Sequence, residues 1–124
     1  MIEVMTGNER AMSRLEVAFR ACPADYQDLQ TEVKGGRVSV YRLTGEGYDV
    51  IIAGEIVGDS YFLWGLVGAG LVSAIHELSA HVKSAGLSSI SAATHHPSLA
   101  RLCRKLNTLE ADDDDRTLMT MEVH

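Results

Sequence analysis

The chain is poor in the residues that would tie it to several common protein classes. Its two cysteines, Cys22 and Cys103, can form one pair at most. No disulfide framework is implied, and both read as reduced thiols of a cytosolic protein or one enclosed in a particle. No apolar run is long enough to span a bilayer, and nothing near Met1 has the basic flank and apolar core of a signal peptide. Lys and Arg number 11 against 17 Asp and Glu, a net charge of -6. That balance excludes a broad basic surface for nucleic acid or anionic membrane. What remains is an ordinary apolar fraction of 46% over 124 residues. This suits one domain spanning residues 1–124, burying about two-thirds of its unfolded surface.

The apolar pattern sets the order of elements. Met1 to Met5 alternates as a short strand, with Ile2 and Val4 on one face. Thr6-Gly7-Asn8-Glu9 has the form of a capping box. Ala11, Met12, Leu15, Ala18, Phe19 and Cys22 follow as a helical stripe that Pro23 ends. Ala24 to Glu32 adds another helical turn or two. After Gly35-Gly36, three strands are expected at Arg37–Leu43, Tyr48–Val57 and Tyr61–Leu66. The turns Gly45-Glu46-Gly47 and Gly58-Asp59-Ser60 make them an antiparallel meander. Val50-Ile51-Ile52 is apolar on both faces, as a central strand is. Phe62 and Trp64 fall on one face of the third strand, Tyr61 and Leu63 on the other.

Gly68-Ala69-Gly70 opens the longest helix, with Leu71, Ala74, Ile75, Leu78, Val82 and Ala85 as its stripe and Gly86 as its stop. Leu87 to Thr94 is the next strand. The helical crossover makes it parallel to Tyr61–Leu66. His96-Pro97 then starts a last helix with Leu99, Leu102, Cys103 and Leu106 on its apolar stripe and Asn107 at its end. An acidic turn and a strand, Thr117 to Val123, close the chain. The fold class is α+β: a mixed central sheet, an antiparallel meander plus one parallel pair, flanked by helices.

Several constellations look like chemistry and read more simply as structure. His76 and His81 stand five apart, which turns their imidazoles about 140° from each other around a helix, so H-E-x-x-H zinc binding is rejected. Asp112 to Asp115 lacks the spacing of a calcium loop and suits a solvated hairpin tip. His95-His96 sits at a strand end, where an N-cap role outweighs ligand contact. Arg101, Arg104 and Lys105 form a small basic face on the last helix.

The last third of the chain, with the glycine turn before the longest helix, resembles the GNAT superfamily of acyl-CoA N-acyltransferases. That family commonly carries N-x-x-A-x-x-L-Y-x-K-L-G-F before a closing hairpin. His96, Leu99, Leu102, Cys103, Lys105, Leu106, Asn107 and Thr108 occupy those places here, with Leu102, Lys105 and Leu106 matching outright. The resemblance implies acetyl-CoA as cofactor if the protein is active. Its diphosphate would lie on the loop aligned with Gly65-Leu66-Val67-Gly68-Ala69-Gly70, so Gly65, Gly68, Ala69 and Gly70 are the cofactor-binding candidates.

Cys103 stands where many members have a Tyr as general acid, and Glu55, ahead of Glu46 and Asp59, is the candidate general base. The family's Gln/Arg position is Gly65, and no Lys or Arg occurs between Tyr48 and Val82. The resemblance extends to short bacteriophage proteins with degenerate cofactor loops. It implies a binding or structural module, in the cytoplasm or a phage particle, with a protein partner or a second copy as its contact. An active N-acetyltransferase is the alternative.

Overall fold

The computed structural model describes residues 1–19, 23–94, 109–113 and 116–122. Cys22 and the expected helix from His96 to Asn107, Cys103 included, lie outside them. The elements are β1 (Ile2–Val4), α1 (Glu9–Glu16), a 3-10 turn (Val17–Phe19), α2 (Pro23–Lys34), β2 (Ser39–Gly45), β3 (Tyr48–Val57) and β4 (Ser60–Ala69). They continue with α3 (Leu71–Ser84), β5 (Ser89–Thr94), β6 (Leu109–Asp113) and β7 (Arg116–Glu122). The strands form one sheet in the order β1-β2-β3-β4-β5-β7-β6. Among the described strands only β4 and β5 run parallel; every other neighbouring pair is antiparallel.

Three local readings outside β4 change. Thr6 does not cap α1: its hydroxyl accepts from the Val40 amide, and the Asn8 side chain accepts from the Ala11 amide instead. The first helix stops at Glu16 and tightens into the 3-10 turn, while Pro23 starts α2 rather than only ending α1. Proline suits that first helical position because its absent N–H has no partner to lose. The third difference is β6, which pairs with β7 from Leu109↔Thr120 to Asp113↔Arg116. The acidic stretch was expected to be only a hairpin tip, yet Asp112 and Asp113 belong to that edge strand.

Two apolar layers hold the sheet. On one face Leu43, Val50, Ile52, Tyr61, Leu63 and Ile90 pack under Ala74, Ile75, Leu78 and Val82 of α3. On the other, Val38, Val40, Ile51 and Ala53 pack against Ala11, Leu15, Phe19, Leu29 and Val33 of the first helical segments. As the central strand, β3 serves both layers, with residues 50–54 buried in succession.

The Tyr61 ring lies across Gly54, whose missing side chain makes room for it. The Tyr61 hydroxyl is buried without a hydrogen-bond partner among the described residues, and burial pushes its pKa up. Tyr61→Phe removes that stranded group and keeps the ring. Its stability is expected to match the parent or exceed it by about 1 kcal/mol, read by urea unfolding.

Glu77 ties α3 to the sheet. Its carboxylate accepts from the Tyr48 hydroxyl, from the Met1 ammonium at 2.7 Å and from His81 Nε2 at 3.0 Å. Burial pushes the Glu77 carboxyl up, but these three hydrogen bonds outweigh it and leave the group below its ordinary value. A carboxyl lowered in the folded state adds stability above its unfolded pKa, and loses that stability as pH falls through the folded one. Acid titration below about pH 4.5 is therefore expected to cost the parent more stability than Glu77→Gln. Equal acid slopes for the two proteins count against the clamp.

Candidate functional site

The site begins with an irregularity in β4. Ala53 faces Gly65 and Gly54 faces Leu63, so Trp64 is an extra residue, a one-residue bulge. A bulge bends its strand and increases the twist. The pairing of β4 with β5 ends at this point, at Leu63↔Ala92, whereas β5 stays paired with β7 as far as Thr94. From Gly65 to Ala69, β4 pairs only with β3 among the described residues. The two central strands thus diverge beyond Leu63. The bulge also resets the alternation. Leu63 and Leu66 both serve the α3 layer, and Trp64 and Val67 the opposite one.

Glu55, the candidate base, lies half-buried on β3, on the same face as Ala53 and the indole of Trp64. The Trp64 Nε1–H donates to Glu55 Oε1 at 3.2 Å. Arg37 is close enough for Glu55 to act on its charge, but it forms its ion pair with Glu32. That pair holds the Glu32 carboxyl below its ordinary value, chiefly through the hydrogen bond from Arg37. Trp64 stands two residues beyond Phe62, the cross-strand partner of Glu55, so the contact is a diagonal one that the hairpin register itself sets up. The other two carboxylates considered, Glu46 and Asp59, sit exposed in the hairpin turns.

The glycine candidates occupy the end of β4 and the entrance to α3. Gly68 and Ala69 belong to the strand, paired with Val50 and Asp49. Gly70 alone separates the strand from the helix, in the left-handed conformation with φ 75°, and no side chain caps the first turn. A Cβ on Gly68, whose φ is +139°, would meet the Asp49 carbonyl oxygen and lie 2.8 Å from Val50 Cα. One on Gly70 would meet the Gly47 carbonyl oxygen and lie 2.9 Å from Tyr48 Cα. One on Gly65 would lie 2.8 Å from Phe19 Cε2. In all three places the space is taken by the protein's own backbone or core. Gly65→Ala is accordingly expected to lose about 1–3 kcal/mol by displacing Phe19 from its seat, measured by urea unfolding.

The free amides of the first turn of α3 are a ready anion site, as at any helix N-terminus. The charged groups nearest it in the sheet are engaged elsewhere. Arg42 grips Asp49 with two hydrogen bonds, 2.8 and 3.1 Å, and Arg14 approaches the same carboxylate at 3.6 Å. Those contacts hold the Asp49 carboxyl below its ordinary value, the Arg42 hydrogen bond foremost. Val50 faces α3, so its neighbour Asp49 and the two guanidinium groups that it binds lie on the opposite side of the sheet. A diphosphate at the start of α3 would meet backbone N–H groups. On that face the Met1 ammonium is held by Glu77 of α3 and by the Thr44 carbonyl. Arg42 and Asp49 are diagonal cross-strand neighbours, a pairing the sequence could have signalled once the hairpin register was set.

No family model matches the sequence, and no curated protein matches it. Solved structures do match its shape. The ribosomal-protein-S18-alanine N-acetyltransferase of Escherichia coli superposes with a TM-score of 0.71 at 14% identity, over 99% of this chain and 93% of that one. The IAA acetyltransferase from Bacillus cereus gives a TM-score of 0.68 at 14% identity, over 98% of each chain. The fold is that of the GNAT acetyltransferases. A Campylobacter jejuni N-acetyltransferase in complex with acetyl coenzyme A gives 0.63 at 11% identity, over 100% of both chains. At such identities the GNAT likeness concerns architecture, and the residues of the site must be judged on their own chemistry.

No group of three or more metal-binding side chains occurs among the described residues. No described helix is long and apolar enough to cross a membrane.

Proposed function

We propose that this chain is a GNAT-fold protein whose acyl-CoA site is reduced below what catalysis needs, and that it works as a non-catalytic binding or structural module. One observation carries the reading. Strand β4 stays paired with β3 to Ala69, and a single residue then leads into α3. This leaves no loop in which to seat a diphosphate, and Gly68 and Gly70 turn their bare Cα atoms toward β3. Tight strand packing accounts for these glycines without a ligand. A contact with a protein partner or a second copy belongs to this proposal. So does the virion or accessory role implied by the resemblance to short phage proteins.

A second reading, an acetyl-CoA-dependent N-acetyltransferase, draws support from the bulge and the divergence of β4 from β5. They leave one edge of β4 without a described strand partner, beside a carboxylate that Trp64 holds in place. There an amine nitrogen would attack the thioester carbonyl, and Glu55 would take the proton that the amine loses. The sulfur would leave as thiolate and be protonated by an acid such as Cys103.

The test is thiol release from acetyl-CoA in the presence of a panel of primary amines. The first reading expects no release above buffer, with the parent protein and Glu55→Gln indistinguishable. Release that depends on Glu55 would establish the second.

A further inference from the structure

We draw no further inference here: the strongest candidate, the uncharged corner of the sheet where Val4, Ser39, Tyr41 and Ile56 share the α3-bearing face above the buried Tyr61 hydroxyl, carries nothing because nothing in the structure shows what covers it.

Discussion

Gly68→Ala is expected to destabilise the protein by about 3–5 kcal/mol, combining a strained backbone with an overfilled contact. At φ +139° an L side chain is already unfavourable, and the new methyl group points into the backbone of Asp49 and Val50. No rotamer change can relieve a collision with main-chain atoms, so the β3–β4 ladder must open locally. Gly47→Ala is the control. Its φ of +82° is also left-handed, but nothing lies within 4 Å of the added Cβ. It should cost only the conformational term, about 1–2 kcal/mol.

The difference between the two variants isolates the packing contribution and is read from urea midpoints with unchanged slopes. A glycine kept for a ligand would behave in the opposite way. Its replacement would cost affinity and leave the unliganded fold intact. Equal losses at positions 47 and 68 would therefore undermine the packing account of the turn.

The second large effect concerns β3. Ile51→Ala and Ile52→Ala should each cost about 3 kcal/mol, within the usual range for emptying a core site. The two residues point to opposite faces and are 1% and 0% exposed. Leu15 and its neighbours cover one face, and α3 covers the other. Ile56→Ala on the same strand should cost less than about 0.5 kcal/mol, because that side chain is 63% exposed and leaves no cavity. A large loss at one of the two inner positions and a small loss at the other would mean that only one layer is packed.

That two-sided burial was legible in the sequence, since Val50-Ile51-Ile52 has no polar residue to spare for solvent. The meander was legible for a similar reason. Glycine-bearing turns fixed both hairpins, and the structure places β3 at Tyr48–Val57, the bounds expected. The crossover through α3 gave the parallel pair.

The errors fall where two local signals compete. Thr6 and Asn8 both suit an N-cap, and the choice turned on a tertiary partner, the Val40 amide. A proline suits both the end of one helix and the first position of the next, and periodicity alone cannot separate the two roles; Pro23 takes the second. Strand β6 was hidden because consecutive aspartates are poor strand formers and good turn formers.

The candidate site was less legible than the fold. That no Lys or Arg occurs between Tyr48 and Val82 could be counted directly. The Trp64–Glu55 contact was within reach of the sequence, because the Gly58-Asp59 turn sets Glu55 opposite Phe62 and Trp64 lies diagonal to it. The bulge at Trp64 was not, because an extra residue in a strand changes no composition and only shifts a register. Placing Gly68 and Ala69 in the helix entrance rather than the strand had the same origin. Small residues carry weak propensity, and the pairing with Val50 and Asp49 decided their state.

Isothermal titration of the purified chain with acetyl-CoA tests the central claim most directly. A diphosphate site with no loop ahead of α3 and no Lys or Arg between Tyr48 and Val82 should give no saturable heat at ligand concentrations up to about 1 mM, that is, less than roughly 4 kcal/mol of binding free energy. Stoichiometric binding with a dissociation constant on the order of 10 μM would contradict the account.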